Sequence, residues 1–237
     1  MIFGAILAGG IGSRMNISDM PKQFLMLGSK PIIIHTVEKF LMCRRLDKIY
    51  IGVHPDWMLH MQDLIEKYDL EAEKIICVPG GKDRNSTIFN IINSIKERYG
   101  DDKDNIVVTH DSVRPFVTHR IIEENIDAAI KYGACNTVIG ATDTIVMSES
   151  GSTITSIPNR NFVYQGQTPQ SFKVNLLFDM YNDLTDAEKA ALTDACKICV
   201  MRDYPVHMVE GEVSNLKITT VVDYKIAMAL EGGIQLD

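Results

Sequence analysis

The chain lacks both an apolar run long enough to cross a bilayer and an excess of positive charge. Its first apolar run, residues 2–7, is interrupted by Gly4 and has no basic segment before it, so we expect a first strand rather than a secretion signal. The formal net charge is −7, which argues against a general nucleic-acid or membrane-surface binder. We therefore expect no nucleic-acid or membrane partner, and any anionic substrate must be held by a local group of cations.

Cysteine is scarce, and its spacing does not indicate pairing. The chain has 237 residues and five cysteines, an odd and scattered set that favours the reducing cytoplasm over a disulfide framework. Cys196 and Cys199 lack the second pair that a zinc site needs, so we interpret them as ordinary helix residues. Apolar residues make up 46% of the chain, enough for a substantial core. Length and composition predict one domain over residues 1–237.

A glycine-rich loop follows the first apolar run. Its residues are Leu7, Ala8, Gly9, Gly10 and Gly12. Glycine permits positive φ and lets backbone approach a ligand closely, and successive free N–H groups in such a loop bind anions. Two cations, Arg14 and Lys22, come next. This combination suits a triphosphate, because the amides contact its oxygens and the cations stabilise the charge that moves to the leaving pyrophosphate.

This loop has three other interpretations. A dinucleotide fingerprint would need a third glycine where Met15 stands, and a Walker loop would need a Gly-Lys-Ser/Thr run that is absent. A glycine-rich turn without any ligand is the remaining alternative. The presence of Arg14 and of Pro21-Lys22 favours the phosphate site over that turn. The pattern resembles the signature of sugar-phosphate nucleotidylyltransferases.

Strand and helix patterns alternate through the first 141 residues. Apolar runs predict strands at 2–7, 48–54, 75–78, 106–110 and 136–141, with helical spacing between them. This alternation predicts an α/β fold with a doubly wound, mostly parallel, Rossmann-like sheet. Glycine-rich or polar loops follow the first, third and fourth strands. Ligands bind beyond the carboxyl ends of such strands, so these loops should form one site.

The alternation breaks at residues 143–157. Apolar and polar residues alternate around Ser150-Gly151, which predicts a β-hairpin. We interpret residues 143–165 as a protruding arm that grips a partner chain, with a surface flap as the alternative. Its apolar side chains Ile145, Ile154 and Ile157 need a surface to bury them, because a two-stranded hairpin alone is marginally stable. The arm therefore predicts a homodimer with two-fold symmetry.

Four further segments, in order along the chain, resemble one protein family. They are Gly80-Gly81 with Arg84 and Thr87, His110 to Phe116, Gln167 to Gln170, and Asn215 to Thr219. The chain resembles the methylerythritol-phosphate cytidylyltransferases, whose fold is of the nucleotide-diphospho-sugar transferase type. Departures such as Ser112-Val113 in place of Ala-Ala resemble a sister group, the ribitol-5-phosphate cytidylyltransferases, which make CDP-ribitol for teichoic acids and related polymers.

The resemblance assigns roles to individual residues. Arg14 and Lys22 would be the catalytic cations. Asp111, at the end of the fourth predicted strand, would bind the cofactor Mg²⁺, with a helix-capping aspartate as the alternative. The acceptor phosphate would be bound by Thr144, Arg160 and Lys217, with Arg160 reaching the site from the partner's arm. The nucleotide would be bound by Leu7, Ala8, Gly9, Gly10, Gly81, Lys82, Asp83, Arg84, Asn85, Ser86, Thr87 and Ser112.

The implied reaction is cytidylyl transfer from CTP to a polyol phosphate. The acceptor phosphate attacks the α-phosphorus of CTP and pyrophosphate leaves. A phosphate monoester is largely ionised at pH 7, so no general base is required. Two alternatives stay open: the parent activity on methylerythritol phosphate, and a non-catalytic paralogue that only binds a nucleotide.

Overall fold

A seven-stranded sheet forms the centre of the protein. The computed structural model describes residues 1–10 and 20–232. Within these residues the sheet strands are β1 (Ile2–Ala8), β4 (Lys48–Val53), β5 (Ile75–Pro79), β6 (Ile106–Asp111), β7 (Ala134–Gly140), β8 (Tyr164–Lys173) and β9 (His207–Glu210). Their order is β5-β4-β1-β6-β8-β7-β9, and two short strands, β2 (Met26–Leu27) and β3 (Lys30–Pro31), pair separately. The predicted parallel strands are all present, with ends shifted by at most two residues.

Helices cover both faces of this sheet. They are α1 (Ile32–Leu41), α2 (Met58–Lys67), α3 (Arg84–Tyr99), α4 (His119–Tyr132), α5 (Val174–Asn182), α6 (Asp186–Ala190), α7 (Cys196–Val200) and α8 (Val221–Glu231). Side chains of β1 alternate between the faces: Ile6 packs with α1, α2 and α4, whereas Phe3 and Leu7 pack with α3, α5 and α7. The doubly wound α/β fold predicted from the sequence is confirmed. No helix of the described ranges is long and apolar enough to span a membrane.

Strand β8 was not predicted from the sequence. It lies between β6 and β7 and runs antiparallel to both, whereas the other six strands are parallel to one another. Pro169 argues against a central strand because proline cannot donate to the ladder. It fits here because the β6 pairing ends at Gln170 and the β7 pairing shifts register between Asn136 and Val138. The proline therefore stands where the ladder is already interrupted.

The carboxyl ends of three strands lie side by side. Leu7 of β1 is in register with Asp111 of β6, and Ala8 is in register with Val53 of β4, which in turn pairs with Pro79 of β5. The loops after β1, β5 and β6 therefore start at one edge of the sheet, as predicted. Strand β1 is also where the chain order reverses, and ligands bind at such switch points.

The predicted arm corresponds to the connection between β7 and β8, residues 141–163, because Tyr164 and Gln165 already belong to β8. It turns at Gly151, whose φ is 74°. The prediction of a regular β-hairpin is wrong, because within these residues only Met147 and Ser156 form a β-bridge. Serine side chains take backbone donors that a ladder would use: Ser148 Oγ accepts from Gly151 N at 2.9 Å. A ribbon without a covering surface has little to stabilise longer strands.

The structure also defines three smaller features of the helices. Cys196 and Cys199 are buried residues of α7, as interpreted. Asp223 belongs to the capping box of α8 with Thr220. Thr118 is at the N-cap of α4 but does not cap it, because its Oγ1 donates to Glu212 Oε1 at 2.9 Å instead.

Candidate active site

A cavity of about 300 Å³ opens at the carboxyl edge of β1, β5 and β6. It is lined by Leu7, Ala8, Gly9, Gly10, Lys22, Gln23, Gly81, Lys82, Asp83, Arg84, Thr87, Asp111, Ser112, Val113 and Lys217. Thirteen of these were predicted from the sequence as site residues; Gln23 and Val113 were not. The predicted convergence of the three loops therefore produces one concave site.

The glycines of the first two loops are explained by contact between the loops. A Cβ on Gly80 would lie 2.8 Å from Gly9 Cα, and a Cβ on Gly9 would lie 2.8 Å from Thr87 Oγ1. Neither Gly9 nor Gly10 has a positive φ, so the conformational reason given for them above is wrong for these two. A Cβ on Gly10 would meet nothing within 4 Å. Gly9 and Gly80 thus allow two backbones to touch, and Gly10 keeps the cavity open.

The side chain of Gln23 holds the glycine loop by two hydrogen bonds. Its Nε2 donates to Ala8 O at 3.0 Å and to Gly10 O at 2.9 Å. The side chain is 2% exposed and belongs to a short 3₁₀ turn, Lys22–Phe24. The amide of Gln23 thus satisfies two carbonyl groups of the glycine loop and links the loop to the turn that carries Lys22. Only its position next to Lys22 could have signalled this role in the sequence.

Asp111 is surrounded by three cations. Its Oδ1 lies 3.1 Å from Arg84 Nε, and its Oδ2 lies 2.8 Å from Lys217 Nζ and 3.7 Å from Arg114 Nε. Burial alone would raise the pKa of Asp111, but the charges of these three residues outweigh it and hold the pKa well below its usual range. Three cations around one carboxylate leave a local excess of positive charge in a chain whose net charge is negative.

The guanidinium group of Arg84 has two nitrogens that make no hydrogen bond within the described residues. Its Nε is used on Asp111, whereas Nη1 and Nη2 are buried and have no hydrogen-bond partner within the described part of the chain. A buried guanidinium with unsatisfied N–H groups is costly unless a ligand completes it. Arg84 lines the cavity, and its planar donors match the oxygens of a phosphate. The cavity is therefore built to receive an oxyanion.

His110 supports this group from the core without entering the cavity. Its Nε2 donates to Arg114 O at 3.1 Å, so Nδ1 is the acceptor for Thr168 Oγ1 at 2.9 Å. Burial lowers the pKa of His110 to about 4, so the imidazole is neutral at pH 7. Thr168 Oγ1 in turn accepts from Asp111 N at 3.2 Å. This chain fixes the backbone on which Asp111 and Arg114 stand.

A second network positions the segment that carries Lys217. Arg114 Nη1 donates to Asn215 O at 2.7 Å. Asn215 Nδ2 donates to Thr168 O at 2.8 Å and to Gln167 Oε1 at 3.1 Å. The buried Asn215 thus connects the loop after β6, the start of β8 and Lys217. Each of the three family-like segments after residue 110 contributes to this one network.

Several predicted site residues lie elsewhere. Asn85 is buried in α3, and Ser86 completes the α3 capping box with Asp83, so neither lines the cavity. Thr144 and Arg160 are exposed on the arm, where Arg160 Nη1 donates to Thr142 O at 2.7 Å. Arg14 lies outside the described residues. The cavity thus brings together most of the residues predicted to bind the nucleotide, and it does not include the predicted acceptor residues of the arm.

A family comparison agrees with this site. The model of the family described as IspD, 2-C-methyl-D-erythritol 4-phosphate cytidylyltransferase, matches residues 2–231. The chain belongs to the IspD family. It is therefore a cytidylyltransferase, and its family implies CTP and a phosphorylated sugar alcohol as substrates.

Solved structures share the fold over nearly the whole chain. One, from Anaerococcus prevotii DSM 20548, is named 4-diphosphocytidyl-2C-methyl-D-erythritol synthase. It is 29% identical to this chain with a TM-score of 0.81, and the match covers 98% of this chain and 96% of that one. The 2-C-methyl-D-erythritol 4-phosphate cytidylyltransferases of Francisella tularensis and Thermus thermophilus are 23% and 24% identical, with TM-scores of 0.77 and 0.71. The matches cover 96% and 97% of this chain, respectively, and 98% of each of the two other chains.

Cytidylyltransferases of the IspD family generally use a divalent metal ion. Asp111 is the carboxylate of the cavity that fits such an ion, because Asp83 is used in the α3 capping box. Magnesium takes one or two carboxylates and completes its shell with phosphate oxygens and water. Arg84 and Lys217 now neutralise Asp111, and phosphate oxygens would compete for both cations. The donor set therefore fits a metal that enters together with the triphosphate.

Proposed function

We propose that this cytidylyltransferase forms CDP-ribitol and pyrophosphate from CTP and D-ribitol 5-phosphate. The observation that supports nucleotidyl transfer is Arg84, which lines the cavity and whose two buried terminal nitrogens have no hydrogen-bond partner in the described residues. The choice of acceptor is supported by sequence: Ser112-Val113 follows the ribitol-phosphate group. The product would serve teichoic acid or related polymer synthesis.

Chemistry at this site needs positioning and charge rather than a proton-transferring base. The acceptor is a phosphate monoester that is already largely ionised at pH 7. As it attacks the α-phosphorus, negative charge moves to the β- and γ-phosphates. Lys22 and Arg84 line the cavity where that charge would develop, and Arg14 would add to them. Fixed cations that act on the transition state are the main source of rate in such reactions.

Asp111 would hold Mg²⁺ in this reaction. The ion would neutralise phosphate charge and orient the oxygens around the reacting phosphorus. In this reaction Gln23 would hold the glycine loop in shape, Lys22 and Arg84 would bind the departing phosphates, and Lys217 would bind the acceptor phosphate.

The cavity should select a pyrimidine nucleotide. A Cβ on Gly81 would lie 2.5 Å from Ser86 Cβ, so the loop that would enclose the base is closed against α3 and leaves little width for a purine. Cytosine carries an N4 amino donor, which backbone carbonyls can recognise and uracil lacks. CTP should thus turn over in preference to UTP, ATP and GTP. Comparable turnover with ATP would show that the base pocket has been misplaced.

The acceptor half of the site would be completed by a second copy of the chain. Arg160 lies on the arm and not in the cavity of its own chain, whereas Lys217 lines that cavity. We propose that the arm of the partner subunit brings Arg160 and Thr144 to the acceptor phosphate. A homodimer of this kind also gives the exposed apolar residues of the arm a surface to pack on.

The second candidate acceptor is 2-C-methyl-D-erythritol 4-phosphate. The structure from Anaerococcus prevotii, which is named after the cytidylyl derivative of methylerythritol, is 29% identical to this chain. The two acceptors share a phosphate and differ in the polyol: one is unbranched with hydroxyls along its length, and the other carries a methyl branch. Both would use the same nucleotide half of the site.

An acceptor panel separates these possibilities. Pyrophosphate release is measured with CTP, Mg²⁺ and each polyol phosphate in turn, and the product is identified by mass. We expect kcat/KM for D-ribitol 5-phosphate to exceed that for methylerythritol phosphate by ~100-fold or more, because a site that hydrogen-bonds hydroxyls rejects analogues lacking them. The reverse ratio would assign the parent activity. Tight CTP binding without turnover on any acceptor would indicate a non-catalytic paralogue.

A further inference from the structure

A second group of metal-binding side chains lies away from the cavity. Cys43 follows the end of α1, and His119 and Glu123 lie one helical turn apart at the start of α4. In the described residues, one sulfur, one ring nitrogen and one carboxylate oxygen from these three side chains lie within 4.8 Å of one another. None of the three lines the cavity described above.

The spacing of these atoms is close to that of a tetrahedral site. Cys43 Sγ lies 3.2 Å from Glu123 Oε1, and His119 Nδ1 lies 3.8 Å from the same oxygen. Zinc binds sulfur at about 2.3 Å and nitrogen or oxygen at about 2.0–2.2 Å, which puts neighbouring ligand atoms roughly 3.3–3.7 Å apart. The i, i+4 spacing of His119 and Glu123 puts both on one face of α4. Both measured separations lie close to this range, and the third pair, Cys43 Sγ and a ring nitrogen of His119, lies within 4.8 Å.

Neighbouring charges hold Glu123 in a suitable orientation. Arg45 Nη1 donates to Glu123 Oε2 at 2.8 Å, and Arg45 Nη2 lies 2.8 Å from Asp127 Oδ1. The outer oxygen of Glu123 is thereby fixed, and Oε1 is directed toward Cys43 and His119. Metal-ligating carboxylates are commonly oriented by such a partner. Asp127 also offsets the positive charge of Arg45 near the site.

We propose that Cys43, His119 and Glu123 bind one Zn²⁺ ion, with water in the fourth position. The thiol proton of Cys43 is released to solvent as the sulfur–zinc bond forms, and the imidazole binds in its neutral form. A thiolate with an imidazole selects zinc over magnesium, whose preferred ligands are oxygens. Cys43 is buried, whereas the side chain of His119 is 61% exposed, so the ion would enter from the His119 side.

Such an ion would tie together two elements that flank the active-site loop. Helix α1 contacts that loop directly, since Thr36 Oγ1 donates to Ser112 O at 3.0 Å. Helix α4 begins where the same loop ends. Zinc between α1 and α4 would therefore stabilise the connection from Asp111 to Thr118 without touching the substrates.

The first test uses cobalt as a spectroscopic substitute for zinc. Co²⁺ bound to a thiolate gives a sulfur-to-metal charge-transfer band, which Co²⁺ at Asp111 would not give. We expect this band in the wild-type metal-free protein and its displacement by about one equivalent of Zn²⁺. Absence of the band, in folded protein with reduced cysteines, would overturn the proposal.

Variants assign the ligands. Cys43→Ser should remove the charge-transfer band, and the exposed substitution His119→Ala should weaken Zn²⁺ binding by ~100-fold without affecting folding. His54→Ala is the matched control, because His54 Nδ1 lies 3.7 Å from Asp56 Oδ2 but without a thiol. Cys77→Ser controls for a partly exposed cysteine. Unchanged binding in His119→Ala, or loss of the band in Cys77→Ser, would place the metal elsewhere.

Thermal stability gives an independent readout. Zinc at about 100 times its dissociation constant should raise the melting temperature of wild-type protein by ~5 °C or more. The melting temperature of His119→Ala should not respond, while that of His54→Ala should respond as wild type does. Equal shifts in wild type and His119→Ala would contradict the proposal.

Discussion

The group around Asp111 and the arm differ in how their side chains are satisfied. Asp111 is buried against three cations and held by a chain of hydrogen bonds through Thr168 and His110. On the arm, Ile154, Ile157 and Phe162 are 61%, 60% and 81% exposed. The first region is formed by packed residues of one chain, whereas the second is an exposed ribbon with one bridge.

This difference separates two kinds of function within one protein. A preorganised charge cluster needs no further contact to take its shape, which suits the binding of a constant ligand such as a nucleotide triphosphate. An exposed apolar ribbon gains stability only from a surface that lies outside its own domain. We infer that the nucleotide half belongs to the single chain and that the acceptor half belongs to the assembly.

The largest effect should come from Asp111→Asn. Removal of this carboxylate leaves Arg84, Arg114 and Lys217 close together without neutralisation, which should lower the free energy of unfolding by about 4 kcal/mol and abolish nearly all turnover. Denaturant unfolding and pyrophosphate release measure the two effects. The exposed Asp63→Asn serves as the control and should change neither.

The difference in folding stability between wild type and Asp111→Asn should depend on pH in a defined way. The pKa of Asp111 is lowered in the folded state, so its contribution to stability is present above the unfolded pKa near 3.9 and is lost as the pH falls toward the folded value. The stability gap between wild type and Asp111→Asn should therefore be constant near pH 7 and shrink below about pH 4. A gap that widened in acid would contradict this electrostatic account.

Lys22→Ala should have the next largest effect, and it acts on the single-chain region alone. Loss of a fixed charge at the transition state should reduce kcat by about a hundredfold and change CTP affinity less. Steady-state kinetics with CTP varied distinguish the two, with the exposed Lys67→Ala as control. A kcat within a few-fold of wild type would remove Lys22 from the mechanism.

Mixing two inactive variants tests whether one active site takes Lys22 from one subunit and Arg160 from the other. If Arg160 completes the neighbour's site, a 1:1 mixture of Lys22→Ala and Arg160→Ala should recover about a quarter of wild-type activity, because each hybrid dimer has one intact site. Subunit exchange is verified by differently tagged chains. Exchange without recovery would place Arg160 in its own chain's site or outside any site.

Gln23→Met should have the smallest effect of the set. The substitution keeps the volume but leaves Ala8 O and Gly10 O without their donor, so the glycine loop should become less ordered. We expect the KM for CTP to rise by about tenfold with kcat changed less. Gln62→Met on the exposed side of α2 is the control. Equal kinetics for both variants would show that Gln23 does not shape the loop.

Periodicity and glycine placement were sufficient to predict most of the sheet and the edge where the cavity lies. They failed at β8, because Pro169 is excluded from regular central strands and only the register shift opposite it makes the strand possible. They also predicted a more regular hairpin than the structure has. Alternation predicts which side chains share a face, but it does not predict that serine side chains compete for the backbone donors.

For the site, sequence reasoning identified the loops but not the contacts between them. Gly9 and Gly80 are far apart in the chain, so their mutual packing could not be inferred from either loop. The same holds for Asn215, which appeared only as a family-like residue and proves to connect Arg114 with Gln167. Such networks depend on tertiary distances that a single sequence does not encode in any local pattern.

The reversed direction of β8 has a consequence for how the arm can vary. Because β7 and β8 are antiparallel neighbours, the two ends of the arm leave the sheet side by side, where Ala141 N donates to Val163 O at 2.9 Å. Lengthening a loop between fixed ends costs only about 0.6 kcal/mol per doubling. The arm can thus be shortened, extended or exchanged between relatives as a module while the catalytic sheet keeps its register.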